Sequence, residues 1–77
     1  MSSTEYYLTF KANTCGEYDV YTARRCPEQS RLWTDDVYIG ETCIPGKESE
    51  FVENYNKNLT DGKVVGYEVE TYIEVEK

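Results

Sequence analysis

Polar and apolar positions alternate with period two along three stretches of this chain, and with helical period along one. The clearest stretch is the last, Val64 to Glu76. Tyr67, Val69, Thr71, Ile73 and Val75 fall on one parity, and Glu68, Glu70, Tyr72, Glu74 and Glu76 on the other. Successive side chains of a strand point to opposite faces, so period two predicts a half-buried β-strand. That strand would show four carboxylates and a tyrosine to one side, with neighbours on a face roughly 6.6–6.8 Å apart.

The other elements follow from the same rule. Glu5 to Ala12 predicts a first strand with Tyr6, Leu8, Phe10 and Ala12 on one face and Tyr7, Thr9 and Lys11 on the other. Asn13-Thr14-Cys15-Gly16 predicts a turn, because Asn and Gly accept positive φ. Glu17 to Arg25 predicts a second strand with Tyr18, Val20 and Thr22 toward the core, and the short link makes the pair a hairpin. Pro27 to Asp36 is the longest irregular stretch, with room for a short extra strand around Arg31–Thr34. Val37 to Ile44, rich in β-branched residues, predicts a third strand that Pro45-Gly46 ends.

Lys47 to Leu59 predicts the helix. Phe51, Val52, Tyr55 and Leu59 fall within about a third of its circumference, a normal core stripe. Glu50, Glu53 and Lys57 lie opposite, with Glu53 and Lys57 in the favourable i, i+4 order. Glu48 and Glu50 sit near the positive end of the helix dipole. Asp61-Gly62 predicts the stop, with Gly62 as a left-handed cap. The expected fold is therefore α+β: a single mostly antiparallel four-stranded sheet (β-β-β-α-β) with one helix packed on one face. A right-handed crossover would lay the last strand beside the first, parallel to it, giving the order 3-2-1-4 with the acidic strand at an edge.

Length sharpens this picture. The 77 residues suit one domain, residues 1–77, with a modest core and little room for a deep enclosed pocket. Charge changes it more. The formal net charge is −7, and residues 35–77, with eleven acids and four bases, carry all of it; residues 1–34 hold four of each. An acidic surface argues against direct nucleic-acid binding, which needs Lys and Arg, and favours a basic partner or plain solubility. No apolar run follows Met1-Ser2-Ser3-Thr4-Glu5 and no stretch is long and apolar enough to span a membrane, so neither a signal peptide nor membrane association is expected. The odd count of three cysteines suits a reducing compartment, and a cytoplasmic location is expected, that of the host cell if a phage encodes the chain.

Candidate chemistry is sparse. There is no histidine to activate a Cys or Ser nucleophile. Cys15, Cys26 and Cys43 contain no C-x-x-C pair and fall on separate elements, so they read as small, partly buried hydrophobes and no metal or cofactor is expected. Gly46-Lys47 between strand and helix resembles a phosphate loop, but Gly40 is one position too far away and Glu48 stands where Ser or Thr should bind magnesium. An exposed row of glutamates is the wrong place for glycosidase-type acid–base work, which needs a cleft. An enzyme is not expected.

Aromatic residues bring the remaining signal. Eight tyrosines, two phenylalanines and one tryptophan make 14% of the chain. Tyr6, Phe10, Phe51 and Tyr55 are expected inside. Tyr7 and Tyr21 are expected on the outer face, where tyrosine serves as an interface anchor or simply suits a sheet. The candidate partner-binding residues are Glu68, Glu70, Tyr72, Glu74, Glu76, Asp35, Asp36 and Trp33. The glutamate row reads as a solvated face balanced by Lys11 or Arg25, as a surface for a basic protein, or as a nucleic-acid mimic. For mimicry, its spacing is comparable with two steps of the roughly 3.4 Å rise per phosphate.

In size and composition the chain resembles the small acidic proteins with which phages block host defence or transcription, such as anti-CRISPR and anti-restriction proteins. The resemblance implies a stoichiometric inhibitor of a basic, nucleic-acid-handling protein. The alternatives are a structural or assembly subunit of a virus or larger complex, and then a small carboxylate- or Cys-dependent enzyme.

Overall fold

The computed structural model describes residues 3–71. Strands β1 (Thr4–Ala12) and β2 (Tyr18–Arg25) form an antiparallel hairpin with Phe10 opposite Val20 and Tyr7 opposite Ala23. The turn works differently from a simple pair of positive-φ residues. Gly16 alone takes positive φ, at 81°, while the Asn13 side-chain oxygen accepts the N–H groups of Cys15 and Glu17 at 2.9 and 3.0 Å. This Asx-type bonding replaces the ladder where the chain reverses.

Strand β3 (Val37–Cys43) pairs antiparallel with β2, with an irregularity between Asp19 and Tyr21. Ile44 to Lys47 then closes a turn through the Lys47 N–H to the Ile44 carbonyl at 3.0 Å, with Gly46 at φ 91°. Pro followed by a positive-φ Gly is the chemistry of a type II turn. Helix α1 (Glu48–Asn58) follows, one residue shorter at each end than the periodicity predicts, because Lys47 and Leu59 are its flanking caps. The expected Glu53–Lys57 pair forms at 3.9 Å, and Lys47 reaches Glu50 at 3.2 Å.

Strand β4 (Gly62–Glu70) lies beside β1, and the sheet order is β3-β2-β1-β4. The β1–β4 pair is parallel. The sheet is therefore mixed rather than mostly antiparallel, because α1 carries the chain back before β4 starts. β4 begins two residues earlier than the alternation indicates, at Gly62, which is not a left-handed cap. Its φ is not positive, and a Cβ there would collide with the backbone carbonyl of Thr4. The helix instead ends at Asn58 with Leu59 as its cap, the Asn56 carbonyl accepting the Leu59 N–H at 3.2 Å and the Asn56 side-chain oxygen accepting the Val64 N–H at 2.9 Å.

A bulge near Val65 keeps β4 in phase. Val64 pairs with Tyr6, whereas Gly66 pairs with Tyr7 and Tyr67 with Leu8. The extra residue lets Val64, Tyr67 and Val69 share the helix side while Glu68 and Glu70 face away.

The core lies between sheet and helix. Leu8, Phe10 and Val20 are fully buried, Cys43 joins them, and Phe51, Val52 and Tyr55 pack on from the helix. Phe10 is the centre: its ring meets Phe51 at 5.7 Å, Tyr67 at 5.6 Å and Tyr18 at 6.3 Å. The Phe51 and Tyr67 rings meet Phe10 edge-on and the Tyr18 ring is tilted; aromatic pairs of this kind add about 0.5–1.5 kcal/mol each beyond area burial.

Candidate binding cleft

The face away from the helix is half-covered, which alternation alone does not reveal. Thr9 is 3% exposed and Ala23 7%, although both point away from α1. Their cover is the irregular segment 26–36. Backbone bonds from Gln29 and Ser30 to the Cys26 carbonyl (2.9 and 2.8 Å) turn it back over the sheet. No strand forms at Arg31–Thr34. Instead Thr34 clips onto β2, its N–H donating to the Arg24 carbonyl at 2.9 Å and its hydroxyl accepting the Arg24 N–H at 3.0 Å.

This places Trp33 on the outer face. Its ring meets Tyr7 edge-on at 6.0 Å, and the Arg25 guanidinium lies 4.7 Å from the ring centre. Arg25 Nε also donates to Glu5 at 2.8 Å. Farther along the same face, Lys11 lies over Tyr21 at 4.5 Å, and Tyr21 meets Tyr38 at 5.5 Å. Outer-face aromatic rings thus already take basic side chains from within the chain.

Beside Trp33 opens a cleft of about 550 Å³. Its floor is Tyr7, Thr9 and Ala23, and its rim carries Asp35, Asp36 and Glu68. Burial first, and then the negative charge of Glu68, push the Tyr7 hydroxyl above its ordinary pKa. Tyr7 therefore stays neutral well into alkaline solution.

Of the residues singled out from the sequence, Trp33, Asp35, Asp36 and Glu68 come together around this cleft. Glu70 follows Glu68 on the same face, half-buried, and pairs in register with Lys11. Arg25 does not balance the glutamates; it is turned to Glu5. Tyr72, Glu74 and Glu76 lie outside the described residues. Sequence reasoning missed Thr9 and Val65 as lining residues. The available signal was the near-continuous apolar run Tyr6–Phe10, which marks a strand covered on both faces.

A second cleft, about 590 Å³, lies on the other flank of Trp33 and contains Arg25, Cys26 and Asp61. Here the Tyr6 hydroxyl donates to both oxygens of Asp61, at 2.9 and 3.2 Å. Burial, then this hydrogen bond, raises the Tyr6 pKa. Cys26 contacts the Thr4 hydroxyl at 3.4 Å. Cys43 is buried, and burial followed by the charges of Glu48 and Glu50 pushes its thiol up, away from the reactive thiolate. Among the described residues no group of acids and cysteines is placed to hold a metal ion, and no helix is long and apolar enough to cross a membrane.

Comparison with protein-family models, with characterised proteins and with solved structures finds no match to this chain. The functional reading rests on the site itself.

Proposed function

We propose that the protein is a small acidic binding protein that engages a basic, nucleic-acid-handling protein through the sheet face opposite its helix. It acts stoichiometrically, as phage-type inhibitors do, and without catalysis of its own. One observation carries this reading. Glu68 from β4 and Asp35 and Asp36 from the loop, more than thirty residues apart, converge on a cleft with aromatic walls on the face the helix leaves open. Glu70 extends the carboxylates along β4 at the roughly 6.6 Å spacing of a strand face, which suits a Lys/Arg channel built for phosphates. Opposite charge on the partner would speed association and make it sensitive to salt.

The test is affinity capture from the natural host's lysate at low and high salt. The parent is compared with a variant carrying Glu→Gln at positions 68, 70, 74 and 76. The expected result is a basic nucleic-acid-binding protein that duplex DNA displaces and the variant fails to hold. Equal capture by a variant whose circular dichroism is unchanged sinks the reading.

A second reading, an assembly subunit, draws on the exposed β3 edge, where Val37 is 60% and Tyr38 49% exposed. Self-association at working concentration with no foreign partner recovered would favour it.

A further inference from the structure

Charge alone does not make the outer-face cleft a site, and two observations go beyond its acidic rim. The first is Thr9. It is 3% exposed and lines the cleft, yet none of the side-chain hydrogen bonds among the described residues involves its hydroxyl. Every fully enclosed side-chain N or O among the described residues has a partner. The Thr9 hydroxyl is therefore not sealed in; it opens onto the cleft floor as an unused donor and acceptor. A ligand atom reaching the cleft floor can take the place of water on that hydroxyl and is held there in a fixed direction.

The second observation is Arg25 on the opposite flank of Trp33. It stacks on the indole at 4.7 Å while its Nε donates to the Glu5 carboxylate at 2.8 Å. The molecule thus displays a guanidinium held between an aromatic ring and a carboxylate. Arg25 lines the other cleft and not this one. On this side Trp33 and Tyr7 provide the rings, Glu68, Asp35 and Asp36 the carboxylates, and no basic side chain is among the lining residues.

We propose that this cleft receives a single arginine side chain of the partner. The inference rests on the acidic-surface reading and narrows it to one contact. The guanidinium lies against Trp33 and Tyr7. It donates to Glu68 and the loop aspartates and places one N–H on the Thr9 hydroxyl. Arginine fits better than lysine because its planar fork presents five donors in fixed directions and stacks on aromatic rings, whereas an ammonium is a compact, strongly hydrated point charge. A basic protein that handles nucleic acid presents such side chains on its phosphate-binding surface.

Trp33 is the only tryptophan in the chain, so the wall of the cleft is its own reporter. The experiment titrates the full chain at low salt with the capped tripeptide Gly-Arg-Gly and its lysine and citrulline counterparts. It follows Trp33 fluorescence and the amide and indole signals in nitrogen–proton correlation spectra. The arginine peptide should shift the Trp33 indole and the Thr9 and Glu68 amides, leave Phe51 and Tyr55 in place, and bind roughly three- to fivefold tighter than the lysine peptide, the size of one added hydrogen bond from the guanidinium fork. The citrulline peptide, with the same shape and no charge, should not bind. Glu68→Gln and Thr9→Val should each weaken arginine binding; Thr9→Val keeps the shape and removes the hydroxyl.

Equal binding of the arginine and lysine peptides, binding of citrulline, or shifts confined to the helix face overturns the proposal. If the peptides are ignored while lysate capture still depends on the β4 glutamates, the arginine assignment fails and the acidic-surface reading stands. If both fail, the outer face is not the binding surface.

Discussion

The two faces of the sheet start from similar material and end differently. Strand β1 sends Tyr6, Leu8 and Phe10 to one side and Tyr7, Thr9 and Lys11 to the other. A helix covers the first side, and a regular stripe of Phe51, Val52 and Tyr55 fills the space above Phe10. An irregular loop covers the second, fixed by Thr34 on β2 and by Trp33 against Tyr7 and Arg25. A helix delivers a side chain to the sheet every three or four residues, and here it closes over Leu8, Phe10 and Val20 while leaving Tyr67 and Val69 on β4 exposed. A loop delivers one ring and leaves an opening beside it. The lesson is that the second layer here is incomplete, and the opening gathers the acids of the loop and of β4.

Substitutions that break each face test this difference. Phe10→Ala on the helix face should be the most damaging. It empties the centre of the aromatic cluster and should cost about 3–5 kcal/mol, read by chemical denaturation; a cost below about 1 kcal/mol would mean that the core lies elsewhere. Gly62→Ala should follow at about 1–3 kcal/mol, because the new methyl group meets the Thr4 backbone where β1 and β4 approach. On the outer face, Trp33→Ala should cost only about 1–2 kcal/mol, since the ring is half-buried and its edge contact and cation–π contact are each worth about 1 kcal/mol. This variant should keep its fold and lose its ligand, which separates the two faces functionally. Tyr6→Phe should cost about 1 kcal/mol, one hydrogen bond to Asp61, without leaving an orphan, because Asp61 is exposed.

Alkaline titration reaches both faces at once. Tyr6 and Tyr7 hold their protons more tightly in the folded chain than the ordinary tyrosine value of 10.0. Between that value and the raised one, the native state binds more protons than the unfolded state. Stability should therefore be undiminished by these groups below about pH 10 and fall as pH rises past it. Phenolate absorbance should show Tyr6 and Tyr7 keeping their protons past the ordinary tyrosine value until the fold is lost. In Tyr7→Phe the alkaline loss of stability should be smaller.

Much of the fold is written in short periods. The alternation of β1, the helical stripe and the Pro-Gly turn each act over a few residues, and each appears where its pattern places it; the alternation of the last stretch marks a strand, but one that is Gly62–Glu70 where Val64 to Glu76 is expected. The order β3-β2-β1-β4 also follows, because three strand-forming runs, one helix and one more run leave few arrangements. What stays illegible depends on distant contacts. Gly62 looks like a helix cap; only the approach of Thr4 shows why it lacks a side chain. The bulge at Val65 hides in a pair of adjacent valines that suits either phase. The segment 26–36 has no period to read, and its place is set by Trp33, Arg25 and Thr34, each meeting a partner on β1 or β2. The candidate site was therefore legible in its charges, Glu68, Asp35 and Asp36, and illegible in its floor.

The central claim is that binding belongs to the loop-covered face. The most direct measurement is a hydrogen-exchange footprint of the chain with the purified host protein recovered by capture. Protection is predicted along β4 around Glu68 and across residues 33–36, with the helix 48–58 unchanged. Protection confined to the helix, or to the β3 edge at Val37 and Tyr38, would contradict the account.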